Sequence, residues 1–286
     1  MNSAFLVSDL HGSESKYSRL LHQIELHKPA VVFIAGDILP SGVKLLSSGT
    51  SADSFITSFM IPRFSRLKEK MKENYPEIYL ILGNDDARVE EEAVKSEDAA
   101  GCWHYINNSF DTYKEYKIFG YCFVPPTPFL LKDWEKYDVS RYLDPGCVSP
   151  EEGIRTKPVR KLEVRNSTIQ QDLENLTNGH DLSKSIFLFH APPHKTSLDR
   201  ANLDGKIIDQ VQVDVHVGSI AIRRFIEREQ PYITIHGHIH ESSKLTGKWY
   251  EKIGDTHCYN AAFEGSRLAI IILSLENPEK AERILI

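Results

Sequence analysis

The sequence predicts an α/β protein on three observations: six short apolar runs spread along the chain, a helical apolar repeat between the first two, and an ordinary globular composition. The runs fall at residues 4–7, 31–35, 78–82, 186–189, 232–235 and 268–273, each rich in Val, Ile, Leu or Phe. Continuous apolar runs of this length read as strands buried on both faces. Between the first two, Tyr17, Leu20, Leu21 and Ile24 recur at helical spacing, and Pro29 closes the segment, so a helix over 16–27 with these four in the core is expected. The basic residues of 63–72 are interleaved with Glu and read as one solvated helix face. Residues 116–124, with Gly120 near the middle, read as two strands around a turn, which brings antiparallel pairing into the sheet system. Residues 125–181 hold a Pro-Pro and a Pro-Gly pair, much charge and little periodicity. They are expected to be an insertion with short helices of its own, inside a single domain spanning 1–286. A further helix starts at Ser219 as N-cap, runs through Ile222, Phe225 and Ile226, and stops before Pro231.

Composition narrows the function classes. A formal charge of −6 over 286 residues argues against a surface that tracks long nucleic acid, which needs an excess of Lys and Arg. No apolar stretch reaches the roughly 18 residues that span a membrane, so no membrane partner is expected. The chain opens directly into a strand-like segment without the features of an export signal. Cys102, Cys122, Cys147 and Cys258 form no CxxC pair, and read as free thiols of a cytoplasmic protein.

What singles out this chain is the placement of its Asp, Asn and His residues at the ends of the apolar runs. Run 4–7 leads to Asp9-Leu10-His11-Gly12, and run 31–35 to Gly36-Asp37. Run 78–82 leads to Gly83-Asn84-Asp85-Asp86, run 186–189 to His190, and run 232–235 to His236-Gly237-His238-Ile239-His240. In α/β sheets, ligands bind beyond the carboxyl ends of the strands, so five loops would bring carboxylates, imidazoles and an amide to one edge. Such a mixed N and O set suits Mn, Fe, Zn or Co better than Ca or Mg.

The ordered set D-x-H, GD, GN, lone His and G-H-x-H resembles the calcineurin-like metallophosphoesterases, and spans residues 9 to 240. The resemblance implies two packed mixed β-sheets flanked by helices, in a four-layer sandwich. It also implies two divalent metal ions, with Mn favoured: Asp9, His11 and His240 on one, Asn84, His190 and His238 on the other, and Asp37 bridging. A hydroxide shared by the ions would attack the phosphorus of an ester.

One position departs from the family pattern. Many members carry, after the GN pair, a histidine thought to protonate the leaving group; here that position is Asp85. A carboxyl group there donates a proton near neutral pH only where burial or a neighbouring charge keeps it protonated, and otherwise repels a dianionic monoester. Asp85 is therefore the candidate catalytic group, with a solvated loop carboxylate or a partner that supports a metal ligand as the alternatives for it, and a phosphodiesterase acting on a small or medium phosphate ester is the expected function. A phosphomonoesterase or protein phosphatase, and a metal-binding scaffold without activity, are the alternatives. Asn84 and His194 are candidate substrate contacts, with His216 and Arg200 behind them. His22, His27, His104, His180 and His257 read as surface or helix residues.

Overall fold

The computed structural model describes residues 3–43, 54–96, 99 and 101–286. The first residue of the opening segment, Met1, lies outside them. Two six-stranded mixed sheets form the body. The first has the order β14 (Asn277–Leu285), β13 (Ala269–Ser274), β1 (Ser3–Val7), β2 (Val31–Ala35), β3 (Glu77–Ile81) and β4 (His104–Tyr105). Strands β1 to β4 run parallel, and β13 and β14 add an antiparallel edge. The second sheet has the order β11 (Tyr250–Ile253), β12 (Thr256–Asn260), β10 (Ile233–His236), β7 (Ser185–Phe189), β6 (Tyr116–Tyr121) and β5 (Ser109–Tyr113). Its four central strands are parallel, and β11 and β5 close the two edges antiparallel. A small hairpin, β8 (Ile207–Ile208) with β9 (Val211–Gln212), stands apart.

The apolar runs are buried along their length because each sheet packs on the other with one face and on helices with the other. Helix α1 (Glu14–His27) starts where the Ser13 side chain accepts the N–H of Lys16, and buries Tyr17, Leu20 and Ile24. Its Tyr17 ring meets Phe64 of α2 (Ile61–Met71) at 6.3 Å. Two short helices, α3 (Glu91–Val94) and α4 (Lys161–Asn166), follow in the chain. On the second sheet, α5 (Ile169–Thr177) packs beside α6 (Ile220–Glu229), whose Phe225 ring lies 5.0 Å from Phe187. The last helix is α7 (Ser242–Thr246), just beyond β10. Ser219 is the N-cap of α6, as the sequence predicts: its hydroxyl accepts the N–H of Ile222 at 3.0 Å.

Residues 116–124 differ from the expectation. The turn of this hairpin lies at Lys114 and Glu115, between β5 and β6, and Gly120 sits inside β6. A side chain at Gly120 would collide with the backbone carbonyl of Ile106, so the glycine serves close packing between the sheets. Residues 125–181 carry α4, α5 and a fully buried ion pair, Lys132 Nζ to Glu135 at 2.5 Å. They attach to the body through Asp138, whose carboxylate accepts Ser219 Oγ at 2.6 Å and the N–H of Ile220 at 2.6 Å. His257, read from sequence as peripheral, is instead buried in β12, where its Nδ1 lies 2.9 Å from the Tyr250 hydroxyl.

Candidate metal centre

The sequence places the polar residues just past strands, and the backbone then turns sharply. Asp9, His11, Asp37 and His238 all adopt left-handed conformations, with φ of 57°, 47°, 51° and 71°. Non-glycine residues rarely take this region, and such strain collects where a fixed side-chain geometry matters. The loops after β1 and β2 hold one another by Asp9 N–H to Gly36 O at 3.0 Å and His11 N–H to Asp37 O at 2.7 Å. The motif glycines leave room for the functional side chains: a Cβ on Gly237 would stand 2.6 Å from Asp9 Oδ2, and one on Gly36 2.5 Å from His190 Nδ1.

The structure brings the seven sequence-predicted residues together across the seam of the two sheets. His240 Nε2 lies 2.9 Å from Asp9 Oδ1 and 3.2 Å from His11 Nε2. His11 Nε2 is also 3.8 Å from Asp9 Oδ1 and 3.8 Å from Asp37 Oδ2. Asp9, His11, Asp37 and His240 thus offer ligand atoms within 4.8 Å of one another, a spacing that can hold a metal ion. On the other side, His190 Nε2 is 3.2 Å from Asp37 Oδ2 and 3.0 Å from Asn84 Oδ1. The His190 Nδ1 meets the carbonyl of Ala35 at 2.8 Å, joining β7 to β2. The His238 ring lies 5.2 Å from that of His190, and its backbone N–H points at the Asp9 carboxylate at 3.2 Å.

Residues 4–242 match the sequence profile of a family described as calcineurin-like phosphoesterase. The chain belongs to the calcineurin-like phosphoesterase family. Solved structures agree on the fold. One superposes over 99% of this phosphoesterase and 98% of its own chain, with a TM-score of 0.59 and 16% identity. The protein TT1561 of Thermus thermophilus does so over 99% and 98%, at 0.55 and 13%. A dimetal phosphatase from Danio rerio does so over 99% and 98%, at 0.51 and 12%. No curated protein is a significant match. Membership makes the chain a metal-dependent phosphoester hydrolase with divalent ions as cofactors.

The donor chemistry of this phosphoesterase fits such ions. Burial alone would raise the pKa of Asp9, but His240, His190 and His11 hold it far below the usual carboxylate range. Asp37, equally buried, is held down to about 2 by His190 and His11. The imidazoles answer in kind. Burial would lower His11, yet the hydrogen bond to Asp85 and the charges of Asp37 and Asp9 raise it to about 9. His190 rises to about 9 against its burial, through Asp37 and Asp9. Burial and the His190 charge push His238 down to about 3. Two buried carboxylates held low beside imidazoles held high mark a concentration of negative charge that suits divalent cations.

Other expected residues sit differently. Asp85 turns one oxygen to the cluster, with Oδ2 3.3 Å from His11 Nδ1. His194 faces a separate network: its Nδ1 is 3.8 Å from Asp199 and its Nε2 3.8 Å from Asp214. His216 joins the same network, with Nδ1 2.7 Å from Asp199 Oδ1, and Arg200 reaches out to Asp204 at 2.5 Å. Sequence reasoning missed Asp86 and Asp199 as organisers. Asp86 is buried and accepts three backbone N–H groups, from Ile38, Leu39 and Gly83. Its only sequence signal is a second carboxylate beside Asp85 in a turn. Among the described residues, no helix is long and apolar enough to cross a membrane.

Proposed function

We propose that this phosphoesterase is a phosphodiesterase that uses two divalent ions, with manganese favoured, on a small or medium phosphate ester in the cytoplasm. The observation that carries this reading is the position of Asp37: its Oδ2 lies 3.8 Å from His11 Nε2 and 3.2 Å from His190 Nε2. One carboxylate oxygen therefore faces both halves of the ligand set. Asp9, His11 and His240 would hold one ion, Asn84, His190 and His238 the other, and Asp37 both. When bound, the ions would supply a hydroxide at neutral pH and positive charge to offset that on the phosphoryl oxygens. Asp9 and Asp37 bring two negative charges against four positive ones, so the loaded site attracts a phosphate.

The remaining groups shape the choice of ester. The Asn84 carbonyl is turned to His190, which leaves its amide nitrogen to donate to a phosphoryl oxygen. Residues 125–181 and 197–219 would form the walls, and His194, on the loop after β7, would belong to those walls through Asp199 and Asp214. The Asp85 carboxylate adds negative charge beside His11, which disfavours a dianionic monoester relative to a singly charged diester. The test is hydrolysis of bis(p-nitrophenyl) phosphate beside p-nitrophenyl phosphate, on chelator-stripped protein with Mn²⁺ added back. Preferential, metal-dependent cleavage of the diester is expected. A monoester turned over much faster than the diester would sink the phosphodiesterase assignment.

A further inference from the structure

The residue that departs from the family pattern is held at four points. Both carboxylate oxygens of Asp85 are engaged: Oδ1 accepts the Ser41 hydroxyl at 2.7 Å, and Oδ2 faces His11 Nδ1 at 3.3 Å. Its backbone carbonyl accepts the N–H of Gly42 at 2.8 Å, and its own N–H donates to Asp37 Oδ1 at 2.9 Å. The carboxylate is thus aimed at the back of the His11 ring.

His11 turns its other nitrogen, Nε2, toward Asp9, Asp37 and His240. A neutral imidazole has one N–H and one lone pair, and the partner of the N–H decides which nitrogen can ligate. A proton on Nδ1 has the Asp85 carboxylate facing it, and it leaves the lone pair of Nε2 toward the cluster. His190 uses the same device with a different partner: its Nδ1 meets the Ala35 carbonyl while Nε2 faces Asp37 and Asn84. Where β2 supplies a backbone carbonyl for His190 of one half, the loop after β3 supplies a side-chain carboxylate for His11 of the other. Partners of this kind orient metal-binding histidines and raise their basicity.

We propose that Asp85 is a positioning residue, whose carboxylate fixes the ring and tautomer of His11 so that Nε2 is presented to an ion, and that it is not the proton donor to the leaving group. The inference rests on the two-ion reading above. Asp85 does not touch substrate in this role; it acts through His11.

The test compares wild type with Asp85→Ala and Asp85→Asn in the full chain. Mn²⁺ binding is followed by calorimetry, and the imidazole tautomers of the Zn²⁺-loaded protein by long-range ¹H–¹⁵N correlation. Asp85→Ala should weaken one of the two ions by about 10–100-fold and leave the other unchanged. The His11 Nδ1–H resonance, deprived of its acceptor, should move upfield and exchange faster with solvent. Asp85→Asn, whose amide oxygen accepts the same N–H, should recover most of the affinity and keep the resonance in place. The proposal is overturned if Asp85→Ala binds both ions like wild type and loses rate mainly on diesters with poor leaving groups, the mark of a lost proton donor. A wild-type protein that binds no divalent ion would overturn the two-ion reading itself, an outcome visible before any variant is made.

Discussion

The Asp86 carboxylate accepts the backbone N–H of Leu39 at 2.7 Å, tying the loop after β3 to the loop after β2. Its second oxygen accepts Ile38 at 3.1 Å and Gly83 at 2.8 Å, so one buried side chain closes three backbone donors. These donors flank Asp37 and Asn84, and the relative position of the two halves of the centre depends on them. Asp86→Ala should therefore lower stability by about 3 kcal/mol or more, since each stranded buried donor costs about 1–3 kcal/mol. Asp86→Asn, which keeps one acceptor oxygen, should fall between. Urea unfolding of the three proteins gives the ordering, and equal midpoints would rule out this role.

Removal of the shared carboxylate has a different signature. Asp37→Asn keeps the shape of the side chain and loses the charge that faces both His11 and His190. The variant should fold, carry less than the full complement of metal by elemental analysis, and hydrolyse bis(p-nitrophenyl) phosphate no faster than chelator-stripped wild type. Full metal content with full activity would exclude a bridging role for Asp37.

Much of this centre was legible in the sequence because strand ends are. Runs such as 31–35 and 186–189 carry their own signal, and α/β topology sends whatever follows them to one edge. Ser219 announced α6 for an equally local reason, a hydroxyl next to an apolar repeat. What escaped depends on contacts between distant segments. Strands β11, β12 and β14 mix polar and apolar residues, and their pairing is decided by their neighbours. Gly120 looks like a turn residue until Ile106 is seen against it. Asp86 and Asp199 also hold backbone groups far along the chain, the N–H of Ile38 and of Gly218, and no spacing marks that part of their role.

The glycine preceding Asn84 offers a sharper probe than any ligand substitution. A Cβ on Gly83 would collide with Asp37 Oδ1 and come within 2.7 Å of His190 Cε1, whereas on Gly101 it would meet nothing nearer than Lys68 Nζ at 3.9 Å. Gly83→Ala should displace the shared carboxylate and reduce both metal affinity and turnover. Gly101→Ala should stay within about 0.5 kcal/mol of wild type in stability and keep its activity. If Gly83→Ala retained wild-type Mn²⁺ affinity, the close packing around Asp37 would have no functional weight.

The buried Lys132–Glu135 pair sets a pH dependence away from the metal centre. Burial pushes Glu135 up to about 7 from an ordinary 4.5, despite Lys132 and the Thr127 donors that pull it down. The folded state therefore binds the proton more tightly than the unfolded chain. That contribution to stability is fully present below about pH 4.5 and is lost as pH rises through 7, a swing on the order of 3 kcal/mol at most. Glu135→Gln removes it, so stability measured by urea unfolding between pH 5 and 7 should fall less steeply with pH than in wild type. Lys132, itself lowered by burial, would titrate more readily without its partner, and that change acts in the same direction. Parallel pH profiles for the two proteins would show that Glu135 is ionised throughout this range, with Lys132 Nζ and the Thr127 donors outweighing the cost of its burial.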